Sequence, residues 1–166
     1  MERSNIAERS SKLFPFSGIY SASKYLINLE DKKKIEQIVT LVSSFWDNVG
    51  QQFDQWRGVR IGNISATEVR RDYIHTHVVM LQALGIAGKD LIKANPTNWK
   101  AKLKNLKKID WLKSNPIWDR RVLNNGRVVK NSNSIVLASN VIKKALGVTL
   151  NVNEKALESK FKKNGK

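Results

Sequence analysis

Apolar residues recur along most of the chain at steps of three and four, the spacing of one helix face, and in one stretch they do not. Phe16, Ile19, Tyr20, Leu26 and Leu29 predict a first helix over residues 14–29, with Pro15 near its start. From residue 31 onward, Ile35, Ile38, Val39, Val42, Phe45, Trp46, Val49, Phe53 and Trp56 keep helical steps. They predict a long amphipathic helix over residues 33–56 that ends before Gly58 and Gly62.

Ser65 and Glu68 stand three apart, as in a capping box that opens a helix. Val69, Tyr73, His77, Met80, Leu84, Ala87 and Leu91 carry that third helix over residues 65–93. Gly85 and Gly88 within it let a neighbour approach closely or mark a break. The two long helices are expected to pack their stripes together and bury Phe45, Val49 and Leu84. Asn95 and Pro96 then suit the N-cap and first position of a fourth helix, whose apolar face is Trp99, Leu103 and Leu106. At about 100° per residue, Lys100, Lys104, Lys107 and Lys108 share the face opposite those residues.

The pattern changes after residue 120. Asn125-Gly126 between short apolar runs predicts a hairpin closed by a type I′ turn, because both residues accept positive φ. The ribbon would carry Arg120, Arg121, Arg127 and Lys130. Ser132 or Asn133 is placed to cap a helix over residues 134–146 that ends at Gly147, and Asn153 to cap a last helix through Phe161. These two helices invite a helix-turn-helix reading with Lys143 and Lys144, although the connection over residues 147–152 is longer than that motif uses. With 166 residues and 41% hydrophobic content, the chain is expected to be mostly α: a single helical domain, 1–166, with one small β-hairpin near its C-terminal third.

Charge sharpens this picture. The net charge is +16, yet residues 1–88 hold 11 cations and 9 anions while residues 89–166 hold 19 and 5. A near-neutral helical core followed by a strongly basic region is the footprint of a polyanion binder. Nucleic acid is the first candidate, an anionic membrane surface the second, and a merely solubilising excess the third. The longest mostly apolar stretch, residues 77–88, contains Gln82 and two glycines, well short of the roughly 20 residues a span requires. The first residues lack the apolar run of a signal peptide, so a cytoplasmic setting is expected. The absence of cysteine excludes a disulfide framework, a zinc ribbon and a thiol nucleophile.

Titratable groups cluster at Arg70, Arg71, Asp72, Tyr73, His75 and His77. On one helix Tyr73 and His77 would lie on the apolar stripe and His75 beside Arg71 on the other side, which disfavours a shared metal. His77 is therefore expected in the core, and His75 at a phosphate, at a partner or in solvent. No phosphate-cradling glycine loop, nucleophile elbow, zinc motif or calcium loop occurs, so neither enzyme activity nor a cofactor or metal is expected. Trp46, Trp56 and Trp99 fall on apolar faces, whereas Trp111 and Trp118 flank Ser114-Asn115-Pro116 and could staple that loop or present a surface.

Four blocks carry a family resemblance. They are residues 3–14 with Ile19-Tyr20; Val69-Arg-Arg-Asp-Tyr-Ile-His-Thr-His77 with residues 81–85; Ile109-Asp-Trp-Leu-Lys-Ser-Asn-Pro-Ile-Trp118; and Gly126-Arg-Val-Val-Lys130 with residues 140–147. In these blocks the chain resembles the C-terminal part of the DNA sulfur-modification family DndB and related DGQHR-domain proteins. The resemblance implies a cytoplasmic DNA-binding transcriptional regulator associated with phosphorothioate modification. Duplex DNA would be its partner, together with other DNA-modification proteins. The DGQHR pentapeptide is absent from this sequence, so no nucleotide-dependent activity is carried over. The chain is then a piece of a longer protein or a stand-alone remnant. The rival readings are an interaction domain docking an acidic partner and a nucleic-acid or nucleotide enzyme using Arg70, Arg71, Tyr73 and His75. The expected DNA contacts are Lys100, Lys104, Lys107, Lys108, Arg120, Arg121, Arg127, Lys130, Lys143 and Lys144, and the roles of Asn115 and Trp118 stay open.

Overall fold

The computed structural model describes residues 6, 7, 9–27 and 35–163. The expected ends of the first helix at Leu29 and the start of the second over residues 31–34 lie outside them, as do residues 3–5 and Glu8 of the first family block. Among the described residues the fold is mostly α, as the periodicity predicts. Its helices are α1 (Phe16–Leu26), α2 (Ile35–Gly50), α3 (Asp54–Arg60), α4 (Ala66–Asp72), α5 (Val78–Ala94), α6 (Trp99–Lys102), α7 (Ser132–Leu146) and α8 (Val152–Lys163). Between α6 and α7 a single antiparallel hairpin pairs β1 (Leu123–Asn124) with β2 (Arg127–Val128).

The centre of the molecule is α5, which buries ten of its residues, among them Met80, Leu81, Leu84, Ala87 and Leu91. Phe45, Val49 and Leu84 are all buried, as expected, but the closest backbone partners of α5 are α1 and α7 rather than α2. Glycine decides this. A Cβ on Gly85 would overlap the backbone carbonyl of Ala22 in α1, and one on Gly88 would overlap the ring of Phe45 in α2. The two missing side chains thus let α1 lie directly on α5 and let the Phe45 ring sit against its backbone.

Both long helices of the sequence reading are interrupted. The stripe over residues 33–56 breaks after Gly50, and Phe53 is extended (φ −106°, ψ 102°) at the start of α3. The break turns Phe53 inward, edge-on to Trp111 at a ring-centre distance of 5.1 Å. The stripe over residues 65–93 breaks at Tyr73, also extended (φ −112°, ψ 138°), before a 3₁₀ turn at Ile74–Thr76. There the 109–118 loop pairs with the chain: Ile74 N–H donates to the Trp111 carbonyl at 3.0 Å and Lys113 N–H to that of Asp72 at 2.9 Å. A helix cannot keep its own bonds and also bond sideways, so the loop replaces part of the helical ladder.

Local signals were read more accurately. Ser65 and Glu68 close a reciprocal capping box. Asn125 (φ 48°) and Gly126 (φ 73°) form the hairpin turn, and Gly147 ends α7 in the left-handed conformation (φ 72°). Caps with several nearby candidates shifted. Asn131, not Ser132 or Asn133, accepts the Ser134 N–H at 2.8 Å. Asn151, not Asn153, caps α8, accepting the Glu154 N–H at 3.0 Å while Glu154 accepts that of Asn151 at 2.9 Å. The fourth helix begins at Trp99, with Asn95 and Pro96 before it, and after α6 it tightens to a 3₁₀ segment over Leu103–Lys108.

Candidate nucleic-acid interface

The expected DNA contacts divide by burial. Lys100, Lys104, Lys107, Lys108, Arg120, Arg127, Lys130 and Lys144 are exposed. In the 3₁₀ segment residues three apart eclipse, so Lys107 stands over Lys104, while Lys108 is set about a third of a turn round. Leu103 and Leu106, also three apart, are buried and fix that segment on the core. Lys100 lies over the Trp99 ring, its Nζ 5.5 Å from the ring centre. Arg127 stands on the exposed strand β2 beside the turn. Arg120 has positive φ (56°) and lies over the Phe161 ring, 5.6 Å from its centre.

Arg121 and Lys143 correct the sequence reading: both are buried among the described residues and hold α8 in place. Arg121 forks onto Glu158, with guanidinium nitrogens 2.6 and 3.0 Å from the two carboxylate oxygens. Its guanidinium also lies 4.2 Å from the Phe161 ring centre. Lys143 binds Glu154 and Asp90, and Lys144 reaches Glu158 at 3.4 Å from a half-exposed position. Burial works against the Glu158 charge, but the hydrogen bond and charge of Arg121, with help from Lys144 and Asn140, hold its carboxyl below the ordinary range. The interior thus takes in two of the five acids of the basic region, while Lys155, Lys160, Lys162 and Lys163 of α8 remain exposed. These last four lysines were missing from the expected contacts. The alternation of buried Glu154 and Glu158 with outward lysines could have revealed them.

The 70–77 motif does not form one constellation. Arg70 turns to the N-terminal segment, donating to the carbonyls of Ser10 at 2.9 Å and of Lys12. Arg71 is exposed and grips Asp72 at 2.7 and 2.9 Å. His75, expected at a phosphate, a partner or solvent, is fully buried because the break at Tyr73 rotates it inward. Its Nδ1 accepts the Trp56 Nε1–H at 3.0 Å, and its ring stacks on Tyr73 at 5.2 Å. Burial and the neighbouring His77 lower its pKa to about 3, so it is neutral at physiological pH. His77, expected in the core, is only half-buried and lines a cavity; burial and nearby Lys113 lower its pKa to about 4.

The tryptophan loop closes on itself. Trp118 is fully buried, stacked on Trp111 at 5.6 Å, and its Nε1–H donates to the Asp110 carbonyl at 3.0 Å. Asn115 Nδ2 donates to the same carbonyl at 3.0 Å, while its Oδ1 accepts the Ile117 N–H at 3.0 Å. Both side chains therefore staple the loop that pairs with residues 72–74.

A family model described as DndB, DNA-sulfur modification-associated, matches residues 1–149. The chain belongs to the DndB family. No curated protein and no solved structure matches it. DndB proteins are thereby linked to DNA sulfur modification, and the match covers every element from α1 through α7. The loop and helix that follow, which supply Glu154, Glu158 and the outward lysines, lie beyond it. No helix among the described residues is long and apolar enough to cross a membrane, and none of their His, Asp and Glu side chains group as a metal site.

Proposed function

We propose that this chain is a duplex-DNA-binding module of a DndB-type regulator of DNA-modification genes, working in the cytoplasm. The observation that carries the reading is the sorting of charge. Glu154 and Glu158 are drawn inside against Arg121 and Lys143, while the lysines of the 99–108 segment, the hairpin cations and the α8 lysines stay outside. The outward charge is consequently more positive than the sequence total suggests, and the phosphate backbone is the natural acceptor for flexible lysines. Arg127, beside a two-residue turn, is the cation of the ribbon best placed to meet a base edge; Arg121 no longer qualifies.

The test is a salt titration of binding to duplex DNA. Affinity is expected to fall with a log-log slope of about 0.9 per phosphate neutralised. Replacing Lys100, Lys104, Lys107 and Lys108 with alanine should weaken binding equally on cognate and scrambled duplexes and flatten that slope. Arg127→Ala should lower the preference for a cognate duplex more than general affinity. Binding that is undetectable at low salt, or insensitive to salt, overturns the reading in favour of an acidic protein partner.

A further inference from the structure

The cavity beside the hairpin serves neither the core nor the exposed lysines. It encloses about 390 Å³, within the range of small-molecule sites. Its walls bring together sequence blocks that are far apart: Leu13 and Pro15 before α1, Arg70 and His77 of the 70–77 motif, and Val128 and Lys130 of the hairpin. Lys113 of the tryptophan loop stands just behind, its Nζ donating to the Arg70 carbonyl at 2.7 Å.

Three features select a ligand. No Asp or Glu lines the cavity while Arg70 and Lys130 do, so it favours an anion. Leu13, Pro15, Val79 and Val128 offer apolar contact, so it favours an organic group over a bare ion. The third feature is His77. One ring nitrogen is engaged with the Arg70 backbone, whereas Nε2 is buried without a partner. In the neutral ring that nitrogen is an acceptor, and it requires a donor from the ligand. A carboxylate brings charge but no proton, and inorganic phosphate brings both but no apolar group. A phosphate monoester brings all three: its second ionisation lies near pH 6, so the monoanion retains an O–H at neutral pH.

We propose that this cavity is a binding site for a phosphate monoester, with the phosphate between Arg70 and Lys130, its O–H donating to His77 Nε2, and the esterified group against Leu13, Pro15 and Val128. The phosphate could belong to a small molecule or to the 5′ end of a nucleic-acid strand, and the test separates the two.

The full chain, labelled with ¹⁵N at histidine and backbone, is titrated by NMR with phenyl phosphate, benzoate and inorganic phosphate. It is also titrated with a short duplex carrying either a 5′-phosphate or a 5′-hydroxyl. Phenyl phosphate should shift His77 Nε2 and the amides of Val78 and Val79, and benzoate and inorganic phosphate should bind at least tenfold more weakly, a step of one decade in affinity. Lys130→Met, at an exposed position that leaves the core intact, should weaken phenyl phosphate about tenfold and leave His75 unshifted. A larger His77 shift with the 5′-phosphorylated than with the 5′-hydroxyl duplex assigns the strand end as the source, and phenyl phosphate alone assigns a small molecule. Benzoate binding as tightly as phenyl phosphate overturns the proposal. So does an unshifted His77 with every phosphate monoester, and so does an equal shift with both duplexes and none with phenyl phosphate. None of these outcomes depends on the salt-sensitive duplex binding, which is read separately from the lysine amides.

Discussion

Two helices at opposite ends of the chain are docked by opposite means. On α5, helix α1 is seated by subtraction: Gly85 and Gly88 remove side chains so that the Ala22 backbone and the Phe45 ring can come close, and the interface is apolar. On α7, helix α8 is seated by charge: the fully buried side chains it contributes are Glu154 and Glu158, matched to Lys143 and Arg121. The first interface tolerates no added volume. The second tolerates no unmatched partner, because a buried charge without its counter-charge is far costlier than the same site filled with apolar groups.

The largest effect is expected from splitting the second interface. Glu158→Ala leaves Arg121 buried and alone and should cost about 3 to 5 kcal/mol in denaturant unfolding. Adding Arg121→Met should restore most of that loss. If the double variant stays as unstable as the single one, the interface depends on the shape of Glu158 rather than on its charge. At the first interface Gly85→Ala drives a methyl into backbone that cannot yield, for a loss near the upper end of about 1 to 3 kcal/mol. A loss too small to measure would show that α1 can slide on α5.

Acid comes next, and it acts through the histidines. His75 and His77 have folded pKa values of about 3 and about 4, below the ordinary 6.5, so the unfolded chain binds more protons between those limits. Stability is therefore complete above pH 6.5 and falls as the pH drops toward 4, by at most about 1.4 kcal/mol per pH unit for each group. Glu158, held below its ordinary 4.5, adds its own loss only at lower pH. Thermal melts at pH 7.5, 6 and 5 measure the histidine part, and a flat midpoint over that range would place both rings in contact with water. The smallest effect is local: Ser65→Ala removes one half of an exposed capping box and should cost about 1 kcal/mol, with no change in DNA binding.

Features written in residues three or four apart were legible. The capping box at Ser65 and Glu68, the Asn125-Gly126 turn and the end of α7 at Gly147 each depend on bonds that close within one turn of chain. Gly85 and Gly88 were also recognisable as places of close approach, although the approaching groups were not. Which residue of Ser132, Asn133 and Asn131 would cap α7 was not legible, since neighbouring polar residues compete for the same amide and the path of the incoming chain chooses among them.

Charge segregation, helical periodicity and the hairpin turn were determined by the sequence alone, because each is a property of composition or of neighbouring residues. The tertiary structure alone decided the rest. The helix over residues 65–93 breaks because the backbone at residues 111–113 bonds to it, and that break carries His75 into an aromatic core against Trp56, 19 residues away. Arg121 leaves the expected DNA surface because Glu158, 37 residues further on, meets it in the interior. Periodicity assigns a side chain to a face of its own helix. Whether that face meets water, phosphate or a buried carboxylate depends on which distant segment packs against it, and no local pattern encodes that choice.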